Sequence, residues 1–220
     1  SIVGDQAMLF RLAGERMYTE MSKTCHTPEI DRATALHKLM RLLTCAAGGD
    51  GYLNFMGNEF GHPEWVDFPR AGNGDSFQYC RRQWSLVQNP DLKYQSLASF
   101  DRAMLHLARQ WDWFRQWMPD LKLVSRDQQV LAFERGNLIF VFNFSPTHSY
   151  PNALIPVSRG EDHVLLLSTD DETFGGQGRI APIPYPACVA GHRGNYLQLY
   201  LPARTAVVLA PETLARTRNG

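Results

Sequence analysis

The hydrophobic period of the sequence changes at Pro119, and this change constrains the fold more than any other feature. Before it, residues 94–117 place Leu97, Phe100 and their apolar successors at three- and four-residue spacing, which predicts one long helix. After it, apolar and polar residues alternate, which is typical of strands with one buried face. We therefore expect a helical part, then a β-rich part, with the boundary near residues 119–122.

The β-rich part divides into several short predicted strands. Residues 130–135 (VLAFER) and 137–144 (NLIFVFNF) predict a hairpin that turns at Arg135-Gly136-Asn137. Separators rich in proline and glycine come next, among them residues 174–178 (FGGQG), and this spacing favours an antiparallel sandwich. The further predicted strands are residues 153–157, 163–168, 187–189, 196–200 and 205–209.

A helix, a glycine stop and a short apolar run follow one another in the helical part. One or two short helices are expected within residues 5–21, and Thr27-Pro28 begins a longer helix that ends before Gly48-Gly49. Residues 52–56 (YLNFM) then predict a buried strand. A helix, a glycine stop and a short strand in this order are typical of a barrel built from (β/α) units.

A glycine-rich loop, residues 57–79, comes after the predicted strand and carries acids, a histidine and an aromatic ring. Such a loop at the C-terminal end of a barrel strand is the usual position of a functional site. Carboxylates bind sugar hydroxyls, and an indole packs on a pyranose face. Two interpretations of Glu59, Glu64 and Asp67 are open: a glycosidase-type acid and nucleophile, or groups that brace the loop and orient substrate. The second is favoured.

The segments beside this loop are predicted to support it. Residues 76–87 predict a short helix, and Arg81 and Arg82 are expected to form structural ion pairs with Asp101 and its neighbourhood. Trp111, Trp113 and Trp117 are also candidates to stack on sugar, but their helical spacing favours a buried interface.

Residues 53–70 (LNFMGNEFGHPEWVDFPR) resemble the eighth-strand segment of the 1,4-α-glucan branching enzymes of the α-amylase-type glycoside hydrolase superfamily. Five other segments resemble that family in its order and at its spacings. They are residues 30–41 (IDRATALHKLMR), 80–84 (CRRQW), 100–104 (FDRAM), 174–180 (FGGQGRI) and 201–209 (LPARTAVVL). The resemblance covers nearly the whole chain, so it is more specific than any single motif.

The resemblance implies an α+β chain. Residues 1–120 are expected to form the C-terminal part of a catalytic (β/α)8 barrel, mostly helices plus the last strand, and residues 121–220 an antiparallel β-sandwich domain. The implied enzyme is a hexosyltransferase that transfers α-1,4-glucan segments to 6-hydroxyls and so forms α-1,6 branches in glycogen or starch.

The resemblance also implies which residues touch substrate. In the family, the nucleophile, the acid/base and the stabilising Asp lie on earlier barrel strands, so we expect no catalytic residue in this chain and no activity from it alone. The expected substrate-binding residues are Asn58, Glu59, His62, Glu64 and Trp65. No cofactor is expected.

An α-glucan is the expected partner. Residues 1–5 (SIVGD) resemble the segment directly after the family's last catalytic motif, so we expect either a missing N-terminal portion or self-association to cover the strand predicted at residues 52–56. The alternative function is a non-catalytic carbohydrate-binding or scaffolding module, with Tyr150, Tyr185 and Tyr196 as surface aromatics on the sandwich.

Charge, cysteine usage and histidine spacing bear on the binding partners, the cellular location and the presence of a metal site. The 22 basic and 22 acidic residues balance, which argues against nucleic acid and membrane partners. Four scattered cysteines without a paired spacing indicate reduced thiols and a cytoplasmic protein, or a plastid one if a transit peptide precedes the sequence. The seven histidines, His192 among them, show no metal-ligand spacing, so no metal site is expected.

Overall fold

The computed structural model describes residues 2–3, 6–189 and 194–219, so residues 1, 4 and 5 of the SIVGD segment and His192 lie outside the described residues. The chain forms two compact units. Unit 1 consists of Ser1–Lys38, Leu53–Arg102 and Thr173–Gly175, and unit 2 consists of Leu39–Tyr52, Ala103–Glu172 and Gly176–Gly220. None of the helices described is both long enough and apolar enough to cross a membrane.

Unit 1 is mainly helical. Its elements are β1 (Ile2–Val3) paired antiparallel with β2 (Gln6–Ala7), α1 (Met8–Ala13), a 3-10 helix (Gly14–Tyr18), the first part of α2 (Pro28–Ala47), a 3-10 turn (Ala71–Asn73), α3 (Ser85–Gln88) and the first part of α4 (Lys93–Trp111). Gly14 ends α1 at a φ of +64°, and its N–H donates to the Phe10 carbonyl. The predicted pair of short helices is therefore confirmed.

The long helix α2 has the predicted bounds. It begins at Pro28, where the missing N–H of proline costs no helical hydrogen bond, and it ends at Ala47 before the two glycines. Its buried residues in unit 1, Ile30 and Ala33, pack in one core with α1 and α4. The fully formed core of unit 1 comprises Leu9, Ala13, Met17, Met21, Ile30, Ala33, Phe60, Tyr94 and Leu97.

The predicted strand at residues 52–56 is wrong. The structure assigns neither strand nor helix to this segment, and the Leu53 side chain is 97% exposed. A strand is stabilised by ladder hydrogen bonds to neighbouring strands, which a short apolar run does not supply by itself. The segment is instead an irregular stretch that follows α2.

The second long helix, α4, ends at Trp111 rather than at the predicted residue 117. Asp112 adopts the left-handed conformation at a φ of +48°, which ends the helix, and a 3-10 helix (Trp113–Arg115) follows. Trp111 and Trp113 are buried as expected, with the Trp113 ring centroid 5.3 Å from that of Phe140. Trp117 is 92% exposed, so its predicted place at a buried interface is wrong.

Unit 2 contains the antiparallel sandwich that the alternating pattern predicts. One sheet has the strand order β3-β4-β5-β10-β7, and the other has the order β6-β9-β8. The strands are β3 (Asp120–Ser125), β4 (Val130–Arg135), β5 (Leu138–Asn143), β6 (Tyr150–Val157), β7 (His163–Ser168), β8 (Ala187–Val189), β9 (Asn195–Leu201) and β10 (Thr205–Pro211). The sequence pattern did not predict β3 or the last helix, α5 (Glu212–Asn219).

The core of the sandwich lies between the two sheets. Ile139 and Val141 of β5 pack with Ile155 of β6 and with Leu197 and Leu199 of β9. The β4–β5 hairpin turns at Gly136 and Asn137, as predicted, and both residues have positive φ angles of 60° and 66°. A two-residue hairpin turn of this kind needs that conformation at both positions.

The glycine-rich segment near residue 176 packs against an ion pair between the buried Asp170 and the half-buried Arg179. The Asp170 carboxylate accepts bonds from Arg179 Nη2 at 2.8 Å and Nε at 3.0 Å, and also from the backbone N–H groups of Gln177 and Arg179. Burial raises the pKa of Asp170, but these bonds outweigh burial and hold it below its ordinary value. A Cβ at Gly176 would lie 2.1 Å from the Asp170 carbonyl carbon, so only glycine fits there.

Arg135, the last residue of β4, closes the C-terminal end of α2. Its side chain is 2% exposed, and it donates from Nη1 to the carbonyls of Ala46 (2.9 Å) and Gly48 (2.6 Å) and from Nη2 to that of Gly49 (2.9 Å). Carbonyls at the end of a helix have no partner inside it and carry the negative end of the helix dipole. The buried Arg135 guanidinium supplies hydrogen-bond donors to these carbonyls and a positive charge at the negative end of the dipole.

Replacing Arg135 with Met should lower the free energy of unfolding by about 2–4 kcal/mol, because three carbonyls lose their charged donor in a buried place. Arg126→Met is the matched control, since Arg126 is exposed, and its effect should stay below about 0.5 kcal/mol. Urea unfolding followed by tryptophan fluorescence measures both variants. Equal losses would contradict the role assigned to Arg135.

Candidate functional site

The loop of residues 57–84, here named the site loop, is anchored in unit 1 by Phe60. The Phe60 side chain is fully buried in the core with Leu9 and Leu97. Gly57 and Gly61 flank it with φ angles of +92° and +71°, and a Cβ at Gly61 would lie 2.4 Å from Leu9 Cδ2. Glycine at these two positions lets the backbone turn and approach the core.

Glu59 braces the first turn of the site loop. Its Oε2 accepts hydrogen bonds from the backbone N–H of Gly57 and from the Asn54 side-chain amide, both at 2.8 Å. The His62 N–H closes the same turn by donating to the Gly57 carbonyl at 2.9 Å. The Glu59 carboxylate therefore holds the Gly57 backbone and the Asn54 side chain, both of which precede Asn58.

His62 joins three parts of the site loop. Its side chain is 4% exposed, and its Nε2 accepts from the Gln83 N–H at 3.2 Å. Its Nδ1 lies 3.2 Å from the Glu64 carbonyl oxygen, and Arg82 Nη1 is 3.0 Å away. Nδ1 also lies 3.2 Å from the Glu64 backbone nitrogen, so N–H donors approach both ring nitrogens: Gln83 at Nε2, and Glu64 with Arg82 at Nδ1.

The surroundings of His62 favour its neutral form. Burial and the nearby Arg82 guanidinium lower its pKa, and the hydrogen bond to the Glu64 carbonyl does not offset them. A proton on Nε2 would also point at the Gln83 N–H, which has no lone pair to receive it. His62 is therefore a neutral structural ring near pH 7.

Arg82 ties the two ends of the site loop together. Its Nε donates to the Met56 carbonyl at 2.7 Å, its Nη1 donates to the Glu64 carbonyl at 2.9 Å, and its guanidinium carbon lies 5.5 Å from the centroid of the Phe55 ring. Arg82 therefore bonds to loop carbonyls instead of forming the expected ion pair with Asp101 of α4.

The predicted helix over residues 76–87 is largely wrong: only Ser85–Gln88 is helical.

Tertiary hydrogen bonds explain why that predicted helix does not form. The Tyr79 carbonyl accepts from the Asp67 N–H at 3.1 Å, and the Gln83 N–H donates to His62. Both groups would otherwise be used inside a helix, so the loop contacts compete with helical bonds.

Glu64 is held by a tyrosine from outside the site loop. Tyr18 Oη donates to Glu64 Oε1 at 2.6 Å. This bond to a carboxylate, with partial burial and the negative charges of Glu64 and Glu15, raises the pKa of Tyr18 to about 12. The contact links the site loop to the 3-10 helix after α1.

Asp67 braces the second turn of the site loop. Its Oδ2 accepts from the Asn73 side-chain amide at 3.0 Å and its Oδ1 from Arg70 Nε at 3.1 Å. These two donors lower the pKa of Asp67. Each of the three loop acids is therefore engaged in holding backbone or neighbouring side chains, which favours bracing over a role as glycosidase-type acid or nucleophile.

The solvent-facing side of the site loop is rich in aromatic rings. Trp65 is 42% exposed, and Trp84 lies partly on Phe60, with ring centroids 5.4 Å apart. Flat apolar rings beside hydroxyl-binding groups suit the alternating apolar and polar surfaces of a sugar. The exposed rings are Trp65, Phe68, Phe77, Tyr79 and Trp84.

The structure brings the five predicted substrate-binding residues into one loop, where Glu59, His62 and Glu64 have bracing contacts and Trp65 faces solvent. Sequence reasoning missed the parts that Tyr18 and Arg82 play here. They are 46 and 18 residues from Glu64, and no local pattern joins them to it.

Two of the tyrosines predicted on the surface of the sandwich, Tyr150 and Tyr185, pack in or against its core instead. Tyr185 is buried in the sandwich core, and its hydroxyl donates to the Ala181 carbonyl at 2.7 Å. Tyr150 packs against the same core and donates to the Gln128 carbonyl at 2.9 Å. Tyr185 is thus a core residue rather than a sugar platform.

The four cysteines are free thiols. Among the residues that the structure describes, no group of three or more His, Cys, Asp and Glu side chains is placed to hold a metal ion.

Known proteins are similar in sequence to nearly all of this chain. Residues 123–212 match the family model for the alpha amylase C-terminal all-beta domain. Curated 1,4-alpha-glucan-branching enzymes match 95–96% of the chain: the protein of Rhizophagus irregularis is 47% identical, that of Dictyostelium discoideum 44% and that of Saccharomyces cerevisiae 42%. The chain is therefore similar to branching enzymes over nearly its whole length. It spans only 30–31% of the length of these relatives.

Solved structures share the fold of this chain. A debranching enzyme from Nostoc punctiforme is similar with a TM-score of 0.51 and 19% identity, over 80% of this chain and 31% of that one. An alpha-amylase from Malbranchea cinnamomea is similar with a TM-score of 0.50 and 18% identity, over 81% and 33% of the two chains. The antiparallel β domain is therefore shared with known amylase-like proteins.

The free energy of unfolding should fall as the pH is lowered from about 7 to about 5. The unfolded His62 ring takes up a proton near its ordinary pKa of about 6.5, whereas the folded ring, with its lowered pKa, takes it up only at lower pH. The unfolded state thus binds more protons in this window, and stability is lost.

His62→Gln should therefore cost stability at pH 7.5, and its difference from wild type should shrink as the pH falls. His106→Gln, at an exposed position of α4, is the control and should run parallel to wild type. Urea midpoints across this pH range measure both. A gap between wild type and His62→Gln that stays constant with pH would refute the neutral buried ring.

Proposed function

We propose that this chain serves as part of a 1,4-α-glucan branching enzyme, which cleaves an α-1,4 linkage and passes the glucan segment to a 6-hydroxyl to form an α-1,6 branch. The observation that carries the proposal is identity of 42–47% to curated branching enzymes over 95–96% of this chain. The reaction is a retaining transfer that needs a nucleophile and an acid/base. The contacts of Glu59, Glu64 and Asp67 leave those roles to residues outside this chain.

The proposed architecture has residues 1–120 as the last part of a (β/α)8 barrel and residues 121–220 as the sandwich domain. The order of α2, a glycine stop and an apolar segment supports this division. In the barrel, residues 52–56 would gain the strand neighbours that they need, and the Leu53 side chain would be covered. A companion portion of the enzyme is the preferred cover, with self-association as the alternative. A cytoplasmic location stays a prediction.

The site loop is proposed to line the glucan groove. Trp65 supplies a flat ring for a pyranose face, and Asn58 and Glu64 lie in the same loop to receive hydroxyls. Glu59 and His62 act by fixing the loop backbone, as their bonds to Gly57 and Gln83 indicate. Substrate is α-glucan, and the chemistry takes place on other parts of the enzyme.

The chain alone should form no α-1,6 linkages in amylose, because its acids brace the loop. Mixing it with a separately produced upstream portion of the enzyme should restore branching and give a complex that co-elutes on gel filtration. Iodine staining and digestion with a debranching enzyme measure the linkages. A fall in the long-wavelength iodine band with the chain alone would reject the proposed division of labour and return Glu59, Glu64 and Asp67 to consideration.

Trp65→Ala should weaken binding of the chain to glycogen by about fivefold or more, since an exposed aromatic anchor is removed. Leu154→Ala is the control, because Leu154 is an exposed apolar residue of the sandwich; it should leave binding unchanged. Affinity gel electrophoresis with graded glycogen measures both variants. If Trp65→Ala and Leu154→Ala migrate alike, the site loop is not a glucan-binding surface.

A further inference from the structure

Unit 2 contains a groove of about 290 Å³ that lies at the start of the sandwich. This volume is at the lower end of small-ligand sites, which begin near about 300 Å³. Its walls combine a tryptophan and a methionine with polar side chains. The lining residues include Trp117, Met118, Asp120, Glu134, Asn137 and Arg159.

Trp117 is exposed because another tryptophan has taken the core position. Trp113 is fully buried against Phe140, and the chain then leaves the 3-10 helix with Gln116 in an extended conformation (φ −82°, ψ 160°). Trp117 follows with 92% of its side chain exposed, at the edge of the groove. A large flat ring left in solvent beside a groove is a surface that binds an apolar face of a ligand.

The opposite wall of the groove is a fixed turn. Gly136 and Asn137 form the tight β4–β5 turn, and a Cβ at Gly136 would lie 2.7 Å from Gln116 Cγ. The turn therefore sits closely against the segment that carries Trp117. The Asn137 side chain is at an exposed position on this turn and offers both a donor and an acceptor.

Three acidic side chains at the groove, Asp120, Glu134 and Glu161, are offset in charge by Lys122, Arg159 and the lining residue Arg135. Lys122 Nζ contacts Asp120 Oδ2 at 2.7 Å and Glu134 Oε2 at 3.1 Å, and Glu134 also accepts from the Ser158 N–H and hydroxyl. Arg159 lies 3.5 Å from Glu161. Phosphate esters and strongly basic ligands would have to break these pairs, so the groove suits a neutral ligand.

We propose that this groove is a second glucan-binding site, separate in sequence from the site loop. A pyranose has an apolar face for the Trp117 indole and an edge of hydroxyls for Asn137 and Arg159. A neutral sugar also leaves the Lys122 ion pairs intact. The identity of the sugar as an α-1,4-glucan rests on the proposed function, whereas its class as a neutral polyhydroxylated ring rests on the groove.

Two sites on one chain bind a long polymer more tightly than either site alone, because the second contact is intramolecular. An oligosaccharide that is too short to reach both sites gains no such advantage. Replacing Trp117 should therefore weaken binding to glycogen. It should remove maltoheptaose binding at the groove and leave maltoheptaose binding at the site loop unchanged.

Tryptophan quenching tests the groove directly. In a Trp65→Phe/Trp84→Phe chain, Trp117 is the one exposed tryptophan left among the described residues, since Trp111 and Trp113 are buried. Maltoheptaose should lower the acrylamide quenching constant of this chain by about half, because the sugar covers one face of the indole. The same titration on a chain that also carries Trp117→Phe should show no sugar-dependent change. An unchanged quenching constant in the first chain would overturn the proposal.

Affinity gels with glycogen give the second test. Trp117→Ala should weaken retention by about fivefold or more, and Asn137→Gly, which keeps the turn conformation, should weaken it by a smaller factor. Leu121→Ala is the matched control, because Leu121 is an exposed residue of β3 that does not line the groove; it should bind as wild type.

The outcomes separate this proposal from the proposed function. If Trp65→Ala loses binding while Trp117→Ala and Leu121→Ala bind equally, the groove is not a glucan site and the site loop is. If Trp117→Ala loses binding while Trp65→Ala does not, the groove stands and the proposed site loop fails. If the quenching constant falls with protein concentration rather than with maltoheptaose, the groove is a protein-binding face and the proposal is overturned.

Discussion

A buried guanidinium at the end of a long helix is the interaction on which unit 2 depends. Arg135 gives two carbonyls of the glycine stop and that of Ala46 their donors, so the end of α2 is closed by a residue of the sandwich. Its Nε has no described partner, which leaves the whole interaction to the two terminal nitrogens. A lysine, with one nitrogen, could not reproduce this fork.

The hydrogen bonds of Arg135 to the end of α2 also fix the register of the β4–β5 hairpin. Arg135 is the last residue of β4 and pairs with Leu138 across the Gly136-Asn137 turn. A slip of one residue would move every side chain of β4 to the other face of its sheet, and Arg135 would leave the carbonyls. The turn conformation, with positive φ at both positions, and the buried cation therefore specify the same pairing.

Local patterns predicted the parts of the fold that local interactions decide. The bounds of α2 follow from Pro28 and the glycine stop, and the strands of the sandwich follow from alternation and a turn type. The failures lie where distant groups decide. Residues 52–56 have no strand neighbours among the described residues, and Gln83 bonds to a histidine 21 residues away. No window of sequence contains those partners.

The candidate site shows the same division. The sequence predicted that residues 58–65 belong to one loop with functional side chains, and the acids and aromatic ring of that loop, with the family resemblance, indicated sugar as the ligand class. It did not predict that Tyr18 would hold Glu64 or that Arg82 would hold two loop carbonyls. These contacts turn a flexible glycine-rich segment into a braced support for Trp65, which is why the acids matter although none of them is placed for chemistry.

The segments that carry the family resemblance prove to be mostly scaffold. In the glycine-rich segment, Gly176 is required by the Asp170 backbone, and Arg179 by the Asp170 carboxylate. In the site loop, Gly61 is required by Leu9 and His62 by Gln83. A resemblance built on such residues predicts the fold strongly, because each residue is required by packing or by a hydrogen bond. Trp117 belongs to none of those segments, and its exposure beside the groove is the observation on which the proposed second glucan site rests.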